Sequence, residues 1–154
     1  MARLSDIKLL NPGREALGQF SKGIASDSIE ETTLELARIR SSQITGCARC
    51  LAAHWKAALA LGMRVDHLAV INVWREAAVF SPREEAALAW TEALTRNADN
   101  HVDDSVYDAV REHFTEEEMV DLTWAILSIN TWNRINVAFG TGQAFPFEVP
   151  ATNN

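Results

Sequence analysis

Three stretches of the chain repeat one pattern, Ser/Thr-x-x-Glu ahead of a mixed apolar run: Ser28 with Glu31, Ser81 with Glu84, and Thr115 with Glu118. In such a box the hydroxyl and the carboxylate each satisfy a backbone N–H that a helix start leaves free. The second box carries Pro82 at the first helical position, where its missing N–H does no harm. The third adds Glu116 and Glu117 at the positive end of the helix dipole. Asn11-Pro12 reads as a further start. The Ser28 box predicts a helix to about Ser41, with Leu34, Ala37 and Ile44 facing the core. A second helix follows from about Cys47 to Leu61, closed by Gly62. Asp66 predicts a cap for a helix with Ala69, Val70, Val73, Trp74 and Ala77 on one face. The Ser81 helix runs through Trp90 and Leu94. Asp103 or Asp104 opens a short helix carrying Val106, Tyr107 and Val110, and the last long helix ends near Gly140. No segment alternates with period two. The chain reads as all-α, with about six or seven helices.

A length of 154 residues suits one domain, expected over residues 1–145 with a loose C-terminal arm at 146–154. A chain of this size buries enough surface to fold without a disulfide staple. The net charge of -7 argues against nucleic acid, which requires a basic face to displace counterions. The most apolar region, residues 119–139, contains Asp121, Asn130, Asn133, Arg134 and Asn136, so no membrane span is expected. It is apolar on more than one face, as befits either a central core helix or a surface buried in an oligomer. The opening residues lack the apolar core of a signal peptide, and a cytoplasmic location is expected.

Two cysteines are present, three residues apart, in Gly46-Cys47-Ala48-Arg49-Cys50-Leu51-Ala52-Ala53-His54. In a reducing compartment such a pair is more often catalytic or metal-binding than a staple. On a helix, Cys47, Cys50 and His54 fall within an arc of roughly 60°, and Cys50 and His54 are i,i+4 neighbours. A helix N-terminus favours a thiolate, and a nearby imidazole can accept the thiol proton and later return it. Three readings stand together at this point. The pair is a redox dithiol, a zinc site lacking its second ligand pair, or two small buried residues that share a face. His67, His101 and His113 each stand alone and read as surface or capping residues.

Glu35, eleven residues, then Cys47-x-x-Cys50-x-x-x-His54 resembles the core motif of the AhpD-like alkylhydroperoxidases, in the carboxymuconolactone decarboxylase superfamily. Ser42-Gln43-Ile44-Thr45-Gly46-Cys47, Trp74-Arg75-Glu76, the run from Arg83 to Glu92 and Ile129-Asn130-Thr131-Trp132-Asn133-Arg134 extend the likeness over roughly residues 30–140. The resemblance implies an AhpD-like helical bundle assembled as a homotrimer or homohexamer. It implies reduction of hydroperoxides, without a cofactor or metal, by a cysteine pair that an external dithiol recharges, either a lipoylated protein or a thioredoxin-like one. By motif position Cys50 is the peroxidatic nucleophile, Cys47 the resolving thiol, His54 the base and Glu35 the acid that orients it. One departure stands out: AhpD carries a second His between the cysteines, where this chain has Arg49. The decarboxylase branch is not expected to use a C-x-x-C pair, which ranks decarboxylation low. A general disulfide oxidoreductase and a non-enzymatic redox switch are the alternatives.

Overall fold

The computed structural model describes residues 3–25 and 27–144. Its helices are α1 (Asn11–Gly23), α2 (Glu31–Thr45), α3 (Ala48–Ala60), α4 (Val65–Ala69), α5 (Pro82–Thr95), α6 (Asp104–Arg111) and α7 (Glu116–Phe139). Short 3-10 turns lie at Ile7–Leu10, Ile71–Val73 and Thr141–Ala144, and there is no strand among the described residues.

The bundle is organised around α2, which is buried on nearly every side. At 100° per residue, Leu34 and Ala37 point one way and Leu36 and Ile39 the other. The first pair packs with Ala87, Trp90, Val110, Phe114, Leu122 and Ile126 of α5, α6 and α7 and the intervening loop. The second packs with Ala58, Leu68, Ile71, Trp74, Phe80 and Leu88 around α3, α4 and α5. A helix between two cores cannot keep a simple apolar stripe. Its third face holds Glu31, Glu35, Arg38 and Ser42, again within roughly 60°, and this face turns toward the cysteines.

Polar residues fix how α7 lies against α2. Ser41 Oγ donates to Asn130 Oδ1 (3.3 Å), Asn133 Nδ2 donates to Ser41 Oγ (3.1 Å), and Ser42 Oγ donates to Asn133 Oδ1 (3.2 Å). Asn130 Nδ2 reaches Thr95 Oγ1 of α5 at 3.1 Å. A slide of either helix would leave these buried groups without partners, so the network sets register. No buried side-chain nitrogen or oxygen among the described residues lacks a partner.

Four residues spread along the sequence, Arg40, Trp74, Arg75 and Glu92, meet behind α2. Glu92 accepts from Trp74 Nε1 (3.1 Å), from Arg75 Nη1 (2.6 Å) and from Arg40 Nε (2.7 Å). Burial alone would push the Glu92 carboxyl up, but these donors outweigh it and hold the carboxyl below its ordinary value.

Both downstream capping boxes form as expected, on Ser81 with Glu84 and on Thr115 with Glu118. The Ser28 box does not. The helix begins at Glu31 with Glu30 at its N-cap, and Ser28 donates instead to Asp121 Oδ2 of α7 (2.7 Å). That helix also runs past Ser41 to Thr45, where Gly46, at φ 70°, adopts the left-handed turn that glycine makes without strain. Asn11 lies inside α1 rather than capping it, since Leu10 is the N-cap. The expected helix over residues 66–77 is broken into α4 and the Ile71–Val73 turn. Its buried residues, Leu68, Ile71 and Trp74, recur every three positions, the spacing of a 3-10 helix. Asp66 sits in the first turn of α4, and Val73 is exposed. The arm expected at 146–154 lies outside the described residues.

Candidate active site

Gly46 stops α2, and its left-handed turn aims the chain into α3 at once. Cys47 is the N-cap of α3, extended at φ -85° and ψ 91°, and its sulfur accepts the backbone N–H of Cys50 at 3.3 Å. A sulfur thus takes the place usually held by a Ser or Asp oxygen. Cys47 and Cys50 form a disulfide across this first turn, with Cα atoms 5.4 Å apart. Both are almost enclosed, at 3% and 5% exposure.

One turn further along α3, His54 meets the polar face of α2. Its Nδ1 lies 2.9 Å from Oε2 of Glu35, and the other oxygen, Oε1, accepts from Arg38 Nη1 at 2.5 Å. Arg38 is held in turn by Glu31. Burial would raise the Glu35 carboxyl; the hydrogen bond and charge of His54, with the Arg38 guanidinium, outweigh it and hold the carboxyl below its ordinary value. Glu35 is therefore an anion that can only accept. His54 Nδ1 must carry the proton, which leaves Nε2 as the basic nitrogen.

A cavity of about 440 Å³ opens in front of these groups, between α1, α2, α3 and α7. Cys50 and His54 line it, and Cys47 does not. Leu34, Ile129 and Trp132 form much of its apolar wall, and Arg49 lies beside Cys50. Leu51 and Trp55, the other aromatic and aliphatic neighbours of the motif, pack instead into the core around Leu36 and Leu88. The outer wall is α1, which has no buried residue of its own. It is tied to α7 by Ser21, whose hydroxyl lies 2.8 Å from Ser128 Oγ and accepts from Trp132 Nε1 at 3.1 Å.

All four residues expected from the sequence are thus brought together: the cysteines covalently, and His54 and Glu35 by a direct hydrogen bond. Sequence reasoning missed Arg38, Asn136 and Thr141. Asn136 Nδ2 donates to Cys50 Sγ at 3.3 Å, and Thr141 Oγ1 donates to Asn136 Oδ1 at 2.6 Å. The series Asn130, Asn133, Asn136, recurring every three residues along α7, was the available signal. No group of three or more His, Cys, Asp or Glu side chains arranged to hold a metal ion occurs among the described residues. His67 stacks on Phe80, and His101 and His113 are exposed.

The profile of the Carboxymuconolactone decarboxylase family matches residues 14–93. The uncharacterized protein YdfG of Bacillus subtilis (strain 168) is 37% identical over 142 residues, covering 92% of this chain and 97% of its own. Among solved structures, a protein of unknown function from Agrobacterium tumefaciens, named as a candidate AhpD antioxidant defence protein, superposes with a TM-score of 0.89. It is 33% identical, over 96% of this chain and 100% of that one. An apo debrominase shares the fold at 22% identity, with a TM-score of 0.75 over 87% of this chain and 75% of its own. The chain belongs to the carboxymuconolactone decarboxylase family and has the AhpD-like fold.

Proposed function

We propose that the protein is a thiol-dependent peroxidase that reduces hydroperoxides through Cys50 and Cys47. The observation that carries this reading is that Cys50 and His54 line one cavity while Glu35 fixes the imidazole from behind. In the reduced enzyme, His54 Nε2 takes the Cys50 thiol proton. The thiolate attacks one peroxide oxygen, the O–O bond breaks, and Cys50 becomes a sulfenic acid. The departing alkoxide takes the proton back from His54 and leaves as an alcohol. Cys47 then attacks the Cys50 sulfur, expelling water and forming the disulfide. An external dithiol returns both thiols and is itself oxidised to a disulfide.

The enclosure of both sulfurs favours a small peroxide over a protein disulfide as oxidant. It also favours a slender dithiol, such as a lipoyl arm, over the broad face of a thioredoxin. The candidate antioxidant name of the Agrobacterium tumefaciens relative is in keeping with a peroxide as the oxidant. Val120, Trp124 and Leu127, apolar residues that α7 exposes within an arc of roughly 60°, support self-association, which this reading takes to be a homotrimer or homohexamer. No helix among the described residues is long and apolar enough to cross a membrane. A cytoplasmic location would supply the reducing setting the cycle requires.

Peroxide consumption with dihydrolipoamide, and separately with thioredoxin, tests the reading. Wild type turns over with the small dithiol, and Cys50→Ser and Cys47→Ser do not. Unchanged consumption by Cys50→Ser would refute it.

A further inference from the structure

Each sulfur of the disulfide receives a hydrogen bond, but from different kinds of donor. Cys47 takes a backbone N–H from its own helix, as a capping side chain does. Cys50 takes a side-chain amide from a different helix, 86 residues further along the chain. A disulfide sulfur has only lone pairs to offer, so the group facing it must be the NH₂ end of Asn136. The other end is fixed as well. Thr141 Oγ1 donates to Asn136 Oδ1 at 2.6 Å, and Thr141 itself is buried.

The chain makes this second contact by folding back on itself. α7 ends at Gly140, whose left-handed φ of 65° turns the backbone so that Thr141 returns over Asn136. The 3-10 turn beyond it packs on the start of α3, with Gly142 close enough that a Cβ there would lie 3.4 Å from the Arg49 backbone nitrogen. Further back on α7, Asn133 locks the helix register to α2 through Ser41 and Ser42. None of these contacts uses a cysteine, so they hold the amide in place in both oxidation states.

We propose that Asn136 is a catalytic residue that holds the reduced Cys50 sulfur as a thiolate, and that Thr141 is the positioning residue that keeps the amide N–H aimed at it. An amide N–H bonds a neutral disulfide sulfur weakly and a thiolate strongly, because the second bond is charge-assisted. The contact therefore stabilises the charged, nucleophilic form over the thiol. Acting with the imidazole of His54, it supplies the sulfur with two polar neighbours of different kinds. It also distinguishes the cysteines, since Cys50 alone both lines the cavity and meets this donor. The inference rests on the reading of Cys50 as the reacting thiol, but not on peroxide being its substrate.

Other charged or titratable groups face the same cavity: Arg14 from α1, Glu31 and Arg38 from α2, Arg49 and His54 from α3, and Asp121 from α7. A substitution at residue 136 leaves all of them unchanged, so a comparison at that position isolates the amide. The test is made on reduced full-length protein carrying Cys47→Ser, in which Cys50 is the sole thiol. Iodoacetamide alkylation is followed across about pH 5–10, the span over which protein thiols commonly ionise. Adding Asn136→Leu raises the midpoint by about one pH unit, so the rate well below the midpoint falls about tenfold while the high-pH plateau is kept. Thr141→Val shifts the midpoint the same way by a smaller amount, and Thr141→Ser restores it. If Asn136→Leu does not fold, the Thr141 pair decides. Midpoints that coincide with the parent in folded Asn136→Leu or Thr141→Val protein overturn the proposal. Failure of the wild type to consume peroxide would remove the peroxidase reading and leave this result standing.

Discussion

Nδ1 of His54 stands 2.9 Å from Oε2 of Glu35, a polar contact between α3 and α2 that occupies one imidazole nitrogen and leaves Nε2 as the other. The carboxylate is anionic because Arg38 and His54 surround it despite its burial. Glu35→Gln removes that charge and lets an amide N–H compete for the same nitrogen. Turnover with hydroperoxide then falls by about 100-fold, the lower range for loss of an oriented general base. His54→Gln falls at least as far.

The same carboxylate makes stability depend on pH. Its folded-state value lies below the ordinary 4.5, so its contribution is fully present above that pH. The contribution is lost as the pH falls through the lower folded value. Denaturant unfolding of wild type and Glu35→Gln should therefore differ most above pH 4.5 and converge in more acid solution. A gap that widens on acidification would contradict this assignment.

Glu92 makes a contrasting pair of predictions. Its partner Arg40 is nearly enclosed, with an 11% exposed side chain, whereas Arg75 is 61% exposed. Glu92→Ala strands the buried guanidinium and destabilises by about 3–5 kcal/mol. Arg75→Ala removes only a solvent-screened partner and costs about 0–1 kcal/mol. Urea unfolding of the two variants checks both figures.

The capping boxes show where the chain could and could not be read in advance. Ser81 and Thr115 stand directly before their helices, next to Pro82 in one case and three acids in the other, and local chemistry decides their role. Ser28 has the same spacing to Glu31, yet tertiary contact with Asp121 on α7 claims its hydroxyl. Between residues 66 and 77 the helical pattern gave way to burial every three residues, a choice made by the core around Leu36 and Leu88. The site followed the same division. Cys47, Cys50 and His54 were legible because one helix carries them, and Glu35 was reached through the family motif. Arg38, Asn136 and Thr141 were not, because only the packing of α2 and α7 brings them to the cysteines.

These roles are separable by double-mutant cycles. Ser81→Ala and Thr115→Ala each lower stability by about 1 kcal/mol, as loss of a cap does. Ser28 should couple to Asp121 by about 0.5–1.5 kcal/mol and to Glu31 by roughly nothing.

The assignment of unequal roles to the two cysteines is the centre of the account, and trapping the oxidised sulfur tests it most directly. Reduced Cys47→Ser and reduced Cys50→Ser proteins are each given one equivalent of an organic hydroperoxide in the presence of dimedone, which captures sulfenic acids. Mass spectrometry should find the adduct on Cys50 in the first variant, with little or none on Cys47 in the second. An adduct formed as fast on Cys47, or none on Cys50, would contradict it.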